Sequence, residues 1–177
     1  MKIAILSNGN ANYSTRRLVE EAEKRGHDVK VIKYKNCYIS IAQHDNQVFY
    51  KGKPLGKFDA VIPRISSSMT RCGTAIVRQL EMQGDYVLSK ALAIVRARDK
   101  LRSMQLLAKN GIGVPKTVVS RNTTDIDELL EQLEPPVIIK LASGTHGNGV
   151  VLAETKKAAK SVMQAFYLTD DSGTNIL

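Results

Sequence analysis

The residues best suited to chemistry surround a glycine-rich loop. Lys140 ends an apolar run, and a second apolar run, residues 150–153, leaves the loop on its other side. Between them Gly144, Gly147 and Gly149 follow the spacing Gly-x-x-Gly-x-Gly. Because both flanks are β-branched and apolar, the loop is predicted to be the turn of a hairpin. A glycine hairpin with a lysine at its base can close over the phosphates of a nucleotide, as in kinases.

The flanks of this loop exclude two better-known phosphate loops. A Rossmann loop needs Gly-x-Gly-x-x-Gly where a helix opens, and a P-loop ends in Gly-Lys-Ser or Gly-Lys-Thr. The loop has neither pattern, and no Gly-x-Gly-x-x-Gly follows the first apolar run at residues 2–6. The sequence therefore argues against a dinucleotide-dependent enzyme.

The chain is strongly basic. Its 177 residues include 26 Lys and Arg against 17 Asp and Glu, which gives a formal net charge of +9. Such an excess favours nucleotide phosphates, nucleic acid or an acidic polypeptide as partners, although a solvated basic surface is the simpler interpretation. Aromatic residues make up only 5% and no aromatic-basic ribonucleoprotein motif occurs, so direct binding of nucleic acid is not expected.

Cysteine content and hydropathy indicate the compartment. The two cysteines, Cys37 and Cys72, are too few for a disulfide framework and wrongly spaced for zinc. We interpret both as free thiols of a reducing cytoplasm. The apolar start is too short for a signal peptide, and no segment approaches membrane-spanning length. The sequence therefore predicts a soluble cytoplasmic protein without a membrane partner.

The first half of the chain has the pattern of a parallel α/β sheet. The predicted elements are strands over residues 2–6, 28–34, 47–50 and 59–62 and helices over 14–25, capped by Ser14, and 72–83. Functional residues in open parallel sheets lie just past the carboxyl ends of strands. That places residues 8–12 and 64–70 along one candidate edge, where plain connecting loops are equally expected.

The second half alternates helices with short strands. The predicted elements are helices over residues 90–110, 125–133, capped by Thr123 or Thr124, and 155–167, and strands over 117–119, 137–140 and 150–153. The domain boundary is predicted near residues 85–97. Residues 175–177 have the pattern of the first residues of an apolar strand, and because a strand needs some length we expect the chain to be cut short.

The chain resembles the N-terminal part of the RimK-type α-L-glutamate ligases, a branch of the ATP-grasp superfamily. The similarity runs along essentially the whole chain, and the segments that carry it are residues 1–7, 58–65, 97–108 and 140–154. The resemblance implies an α/β fold. A Rossmann-like pre-ATP-grasp domain would occupy residues 1–90, and the small α+β lobe of an ATP-grasp fold would occupy 91–177, truncated before the large lobe.

The resemblance also assigns candidate site residues. Lys100 and Lys140 would bind ATP phosphates. The loop that closes over them would comprise Ser143, Gly144, Thr145, His146, Gly147, Asn148 and Gly149. His146 stands where loops of the family commonly carry glutamine. The ligands for Mg²⁺ would be an Asp and a Glu-x-Asn pair of the large lobe, and no Glu-x-Asn occurs in this chain.

By the same resemblance, the reaction would join glutamate to the acidic C-terminus of a small-subunit ribosomal protein through an acyl phosphate, and this chain alone would be inactive. Arg64 and Arg71 are candidates for binding a substrate carboxylate, because guanidinium groups bind carboxylates bidentately; both are equally explained as surface residues. The alternative function is a non-catalytic basic module that binds an acidic peptide. Self-association into a homo-oligomer stays open.

Overall fold

The computed structural model describes residues 1–9, 11–43, 45–120, 126–141, 148–169 and 175–176. The chain forms two compact units, Met1–Arg98 and Asp99–Leu177. Each unit has its own hydrophobic core. Among the described residues, no helix is both long enough and apolar enough to cross a membrane.

The first unit is built on a parallel sheet. Its elements are β1 (Lys2–Ser7), α1 (Tyr13–Lys24), β2 (Asp28–Lys33), β3 (Cys37–Ser40), β4 (Gln47–Tyr50), β5 (Lys53–Pro54), β6 (Ala60–Pro63), α2 (Thr70–Met82) and α3 (Ala91–Arg98). The order β2-β1-β6 is parallel throughout, and β3, β4 and β5 form a separate antiparallel sheet. The βαβ unit predicted at the start of the chain is therefore present.

The central strand β1 explains why this sheet is stable. Its residues from Ile3 to Ser7 are all buried, as expected for a strand that is covered on both faces. Leu6 packs in a core with Ile32 of β2, Val61 of β6 and Leu80 of α2. Burial of these apolar side chains fixes the carboxyl ends of β1 and β6 next to each other, since Leu6 is paired with Pro63.

The second unit is an antiparallel sheet covered on one face by helices. Its elements are α4 (Lys100–Lys109), β7 (Val119–Ser120), α5 (Ile126–Leu133), β8 (Val137–Leu141), β9 (Val150–Ala153), α6 (Lys156–Thr169) and β10 (Asn175–Ile176). The strand order is β7-β10-β8-β9. Val137 and Ile139 of β8 are buried against α5 and α6, whereas the alternate residue Ile138 is exposed.

The prediction of one continuous helix over residues 90–110 is wrong, because the chain forms two helices there. Asp99 has an extended backbone, with φ −90° and ψ 106°, and its side chain accepts a hydrogen bond from the backbone N–H of Arg102. A side chain that satisfies a free N–H at a helix start stabilises a new helix at that point. The first of the two helices, α3, therefore ends at Arg98, and the second, α4, begins at Lys100.

The first unit ends with α3, because α3 packs on α2. Ala91 and Ile94 belong to the core of the first unit, and the backbone N–H of Ala91 donates to Glu81 Oε1 at 2.6 Å. The division between Arg98 and Asp99 thus lies just past the region of residues 85–97 predicted from the sequence, and later than the boundary between 90 and 91 that the resemblance implied. The expected cap of α1 also differs, since Asn12 and not Ser14 occupies the N-cap position.

Candidate functional site

The predicted hairpin is present, and its glycine loop joins β8 to β9. Lys140 is the next-to-last residue of β8 and is paired with Val150 of β9 and Ile176 of β10. The backbone N–H of Leu141 donates to the carbonyl oxygen of Gly149 at 2.8 Å, which closes the loop at its base. Asn148 is exposed and Gly149 half-buried. The other predicted loop residues, Ser143, Gly144, Thr145, His146 and Gly147, lie outside the described residues.

Gly149 is required at the base of this hairpin by its backbone and by its surroundings. Its φ is +70°, in the left-handed region that favours glycine. A Cβ built on it would lie 2.7 Å from Cδ1 of Leu141. The chain can therefore turn into β9 and keep Leu141 packed there only with glycine at this position.

The structure brings Lys100 to the same end of the hairpin as Lys140. Lys100 is the first residue of α4, directly after the capping Asp99. Its Nζ donates to the carbonyl oxygen of Leu141 at 3.4 Å, and Leu141 directly follows Lys140. Two cationic side chains from different elements are thus placed where the glycine loop begins.

One face of this antiparallel sheet is apolar and exposed. Ile138 is 41% exposed, and on the neighbouring strand Val150 and Leu152 are 44% and 57% exposed. Ile138 is paired with Leu152 and Lys140 with Val150. Because side chains alternate along a strand, these residues share one face. An apolar sheet face with a lysine at its end suits a ligand that has both an aromatic ring and an anionic group.

The first unit contains a cavity of about 430 Å³ at the carboxyl ends of β1 and β6. It is the edge that the sequence predicted. Arg64 lies one residue past β6, and its Nη2 donates to Ser14 Oγ at 2.9 Å. The residues that line the cavity are Asn8, Asn12, Ser14, Thr15, Pro63, Arg64, Ile65, Ser66, Ser89, Ile94 and Arg98.

Arg98 lines the same cavity and was not predicted from the sequence. It is the last residue of α3; its Nη1 donates to Thr70 Oγ1 at 2.9 Å and its Nη2 to the carbonyl oxygen of Ile65. Arg71, the other arginine predicted to bind substrate, is exposed in the first turn of α2 and is not among the residues lining the cavity. Arginine is an ordinary residue for a helix surface, so nothing in the sequence separated Arg98 from Arg71.

A hydrogen-bonded network holds other residues of the cavity lining in place. Tyr34 is fully buried, and its hydroxyl accepts a hydrogen bond from the backbone N–H of Ser66 at 3.1 Å. Ser66 Oγ accepts one from Asn8 Nδ2 at 3.1 Å. Ser7 and Thr15 pair through their buried hydroxyls at 2.8 Å. Buried and half-buried hydrogen bonds of this kind hold their members in one arrangement.

Within the described ranges, no cluster of His, Cys, Asp or Glu side chains has the geometry to hold a metal ion. The groups that the structure assembles are instead cationic and hydroxylic: two lysines in the second unit and two arginines in the first. Such groups bind and orient anions.

Solved ATP-grasp structures share this fold. The RimK domain protein ATP-grasp of Sphaerobacter thermophilus matches with a TM-score of 0.73 and 20% identity, over 99% of this chain and 62% of that chain. D-alanyl-alanine synthetase A of Vibrio cholerae matches with a TM-score of 0.65 and 15% identity, over 99% of this chain and 58% of that chain. The molecule is therefore a partial ATP-grasp fold, as the sequence predicted.

Two protein-family models match almost the whole chain. The model described as RimK PreATP-grasp domain matches residues 1–94, and the model described as RimK-like ATP-grasp domain matches residues 97–174. The chain belongs to the RimK family of ATP-grasp proteins.

Curated relatives carry the name probable alpha-L-glutamate ligase. The relative from Nitrosococcus oceani is 56% identical over 94% of this chain and 56% of its own length. The relative from a Picosynechococcus species is 51% identical over 99% of this chain and 62% of its own length. The chain therefore spans little more than half the length of these relatives.

Proposed function

We propose that this chain is part of an ATP-dependent carboxylate–amine ligase that transfers L-glutamate. The observation that carries the proposal is the placement of Lys100 beside the base of the hairpin that Lys140 enters. In this proposal Lys100, Lys140 and the loop over residues 143–149 hold the phosphates of ATP. Lysine ammonium groups neutralise phosphate charge, and glycines let backbone N–H groups approach it closely.

The apolar face of the second sheet supports the same ligand. Ile138, Val150 and Leu152 offer a surface on which an adenine ring can lie, while Lys140 on that face reaches the phosphate end. Structurally similar proteins bind nucleotides of this kind. The ATP-grasp ligase PsnB was solved in complex with a precursor peptide and AMPPNP, and in complex with a minimal precursor, Mg and ADP.

The proposed chemistry has two steps. A carboxylate oxygen of the acceptor attacks the γ-phosphorus of ATP, and ADP leaves. The amine of glutamate then attacks the acyl carbon, and phosphate leaves as the amide bond forms. Mg²⁺ would neutralise charge on the phosphates. The part played by Lys100 and Lys140 is to hold the phosphates in line and to stabilise the charge that develops on them.

We propose the acidic C-terminus of a small-subunit ribosomal protein as the acceptor and the cytoplasm as the location. The net charge of +9 supports an acidic acceptor, because a basic surface attracts it. We further propose that these 177 residues do not turn over alone. This chain covers only 56% and 62% of the lengths of two of its relatives. Its sequence also contains no Glu-x-Asn to hold the metal.

A chimeric protein tests the proposal. Residues 1–177 would replace the matching part of the Nitrosococcus oceani relative, which is 56% identical over the aligned residues. We expect ATP-dependent incorporation of L-glutamate into an acidic peptide by the chimera and none by the 177-residue protein. A chimera that folds but hydrolyses no ATP would contradict the ligase function. Turnover by the 177-residue protein would contradict its inactivity.

A non-catalytic module that binds an acidic peptide is the second candidate. The observation that favours it is the pair of arginines in the first unit, Arg64 and Arg98, whose hydrogen-bond partners within the described residues are all neutral. Salt-sensitive binding of an acidic peptide by the 177-residue protein, together with an inactive chimera, would select this function.

A further inference from the structure

We propose that the cavity of the first unit is the site for the acidic amino acid substrate, and that Arg98 is a specificity-determining residue of that site together with Arg64. The inference rests on the proposed ligase function and adds to it the position and the chemistry of amino acid binding. It concerns residues of the first unit only.

The two guanidinium groups have only uncharged partners among the described residues. Arg64 donates to a serine hydroxyl, and Arg98 donates to a threonine hydroxyl and a backbone carbonyl. Each guanidinium carries five N–H donors in a planar fork. Within the described ranges these hydroxyl and carbonyl partners orient the two exposed guanidinium groups without neutralising them, so both positive charges can attract an anion.

The cavity is lined by cationic, polar and apolar residues, and among its described lining residues there is no Asp or Glu. The ion pairs recorded for the described ranges lie elsewhere, on α1 and between Lys160 and Asp127. A cavity with two cations and no carboxylate of its own has a positive potential that concentrates anions.

Hydrogen bonds hold other residues of the cavity lining in place. The buried Tyr34 hydroxyl holds the backbone of Ser66, and Ser66 in turn holds the side chain of Asn8. A site whose groups are already in place loses less conformational entropy when a ligand binds. The buried side chain of Ile65 also packs closely on Gly73 of α2, where a Cβ would lie 2.9 Å from Ile65 Cδ1. Ile65 directly follows Arg64 and accepts a hydrogen bond from Arg98.

Size and charge select the ligand class. A volume of about 430 Å³ lies at the lower end of ligand sites, which is suited to a molecule of amino acid size. Two guanidinium groups match the two carboxylates of one acidic amino acid. Because the relatives are named for glutamate ligation, we commit to L-glutamate. The cavity would hold it by its carboxylates while Ser14, Ser66 and Ser89 offer hydroxyl partners.

The experiment is an NMR titration of the 177-residue protein with L-glutamate in the absence of nucleotide. The readouts are the side-chain N–H signals of arginine and the backbone N–H signals of residues around the cavity. We expect saturable shifts at Arg64 and Arg98. L-Glutamine, which is nearly isosteric but lacks one carboxylate, should bind at least 10-fold more weakly, since a hydrogen-bonded charge pair contributes roughly a 10- to 100-fold change in affinity.

Substitutions separate binding from folding. Arg64→Ala should weaken glutamate binding about 10-fold or more. Arg98→Lys keeps the charge but removes the planar fork, and should give a smaller loss while the thermal midpoint is retained. Arg78→Ala is the matched control, because Arg78 is an exposed arginine of α2 that is not among the cavity's lining residues. Its affinity for glutamate should equal that of the unchanged protein.

Several results would overturn the proposal. Equal binding of glutamine and glutamate would remove the role of the second carboxylate. Equally tight, Arg64-dependent binding of inorganic phosphate would make the cavity a general anion site. In the chimera, Arg98→Lys should raise the KM for glutamate and leave the KM for ATP unchanged; an unchanged KM for glutamate would also contradict the inference.

The two proposals fail separately. If the 177-residue protein binds glutamate at the cavity but the chimera has no ligase activity, the proposed function is wrong and the binding site remains. If the chimera is active but glutamate causes no shift at Arg64 or Arg98, the ligase function remains and the site of the amino acid is elsewhere.

Discussion

Two lysines approach the base of the same hairpin, but their backbone positions differ. Lys140 lies in a strand and Lys100 at the start of a helix. Replacement of Lys140 by Ala removes a charge on the sheet face without breaking the strand. In the active chimera we expect Lys140→Ala to lower kcat/KM for ATP about 10- to 100-fold, because a hydrogen bond to a charged group is lost.

Initial rates measured against ATP concentration would check this loss. Lys109→Ala is the matched control, since Lys109 is the exposed last residue of α4. Equal rates for Lys140→Ala and Lys109→Ala would remove Lys140 from the nucleotide site.

The two cysteines differ in environment and so in reactivity. Burial raises the pKa of the Cys37 thiol to about 11, and the nearby Cys72 adds a smaller effect in the same direction. Cys72 is exposed. Since the thiolate is the reactive form, iodoacetamide at pH 8 should modify Cys72 first, and the rate at Cys37 should rise as pH increases toward 11. Peptide mass spectrometry over time would measure both rates, and faster modification of Cys37 at pH 8 would contradict its burial.

At the scale of an element, the hairpin depends on one glycine. Gly149→Ala places a Cβ 2.7 Å from Cδ1 of Leu141 at a φ of +70°. The left-handed backbone alone costs about 1–2 kcal/mol for a residue with a Cβ, and the contact adds to it. We expect faster hydrogen exchange at the N–H of Leu141, which bonds to Gly149.

Gly113→Ala is the control for this change. A Cβ at Gly113 meets no atom within 4 Å, and its backbone is not left-handed. Its effect on the exchange of Leu141 should be small. If both variants leave Leu141 protected, then Gly149 does not determine how the loop closes.

The hairpin could be predicted because its signals are local: β-branched strands, a lysine and a glycine spacing within fifteen or so residues. The break between α3 and α4 was missed because a single side chain, Asp99, stops an otherwise helical pattern. Strand β3 was missed because it is defined by its pairing with β4, a contact between two separate segments that the local sequence of β3 does not show. Arg98 reaches the cavity only because α3 packs on α2, and a sequence pattern does not contain that contact.

At the scale of the whole molecule, the described residues form two hydrophobic cores, one in each unit. Leu80 is 1% exposed in the core of the first unit, and Ile139 is 0% exposed in the core of the second. Truncation of a buried Leu or Ile to Ala removes about 2–5 kcal/mol of stability. Because a unit with its own core can unfold by itself, we expect Leu80→Ala to destabilise Met1–Arg98 and Ile139→Ala to destabilise Asp99–Leu177.

Hydrogen exchange followed residue by residue would separate the two effects. Ile139→Ala should accelerate exchange in β8 and β9 and leave β1 unchanged, whereas Leu80→Ala should do the reverse. Ile138→Ala is the matched control, because Ile138 adjoins Ile139 in the same strand but is exposed, and it should change exchange little in either unit. If one substitution accelerated exchange equally in β1 and β8, the two cores would unfold as one cooperative structure, and the division of the chain into two independently stable units would be wrong.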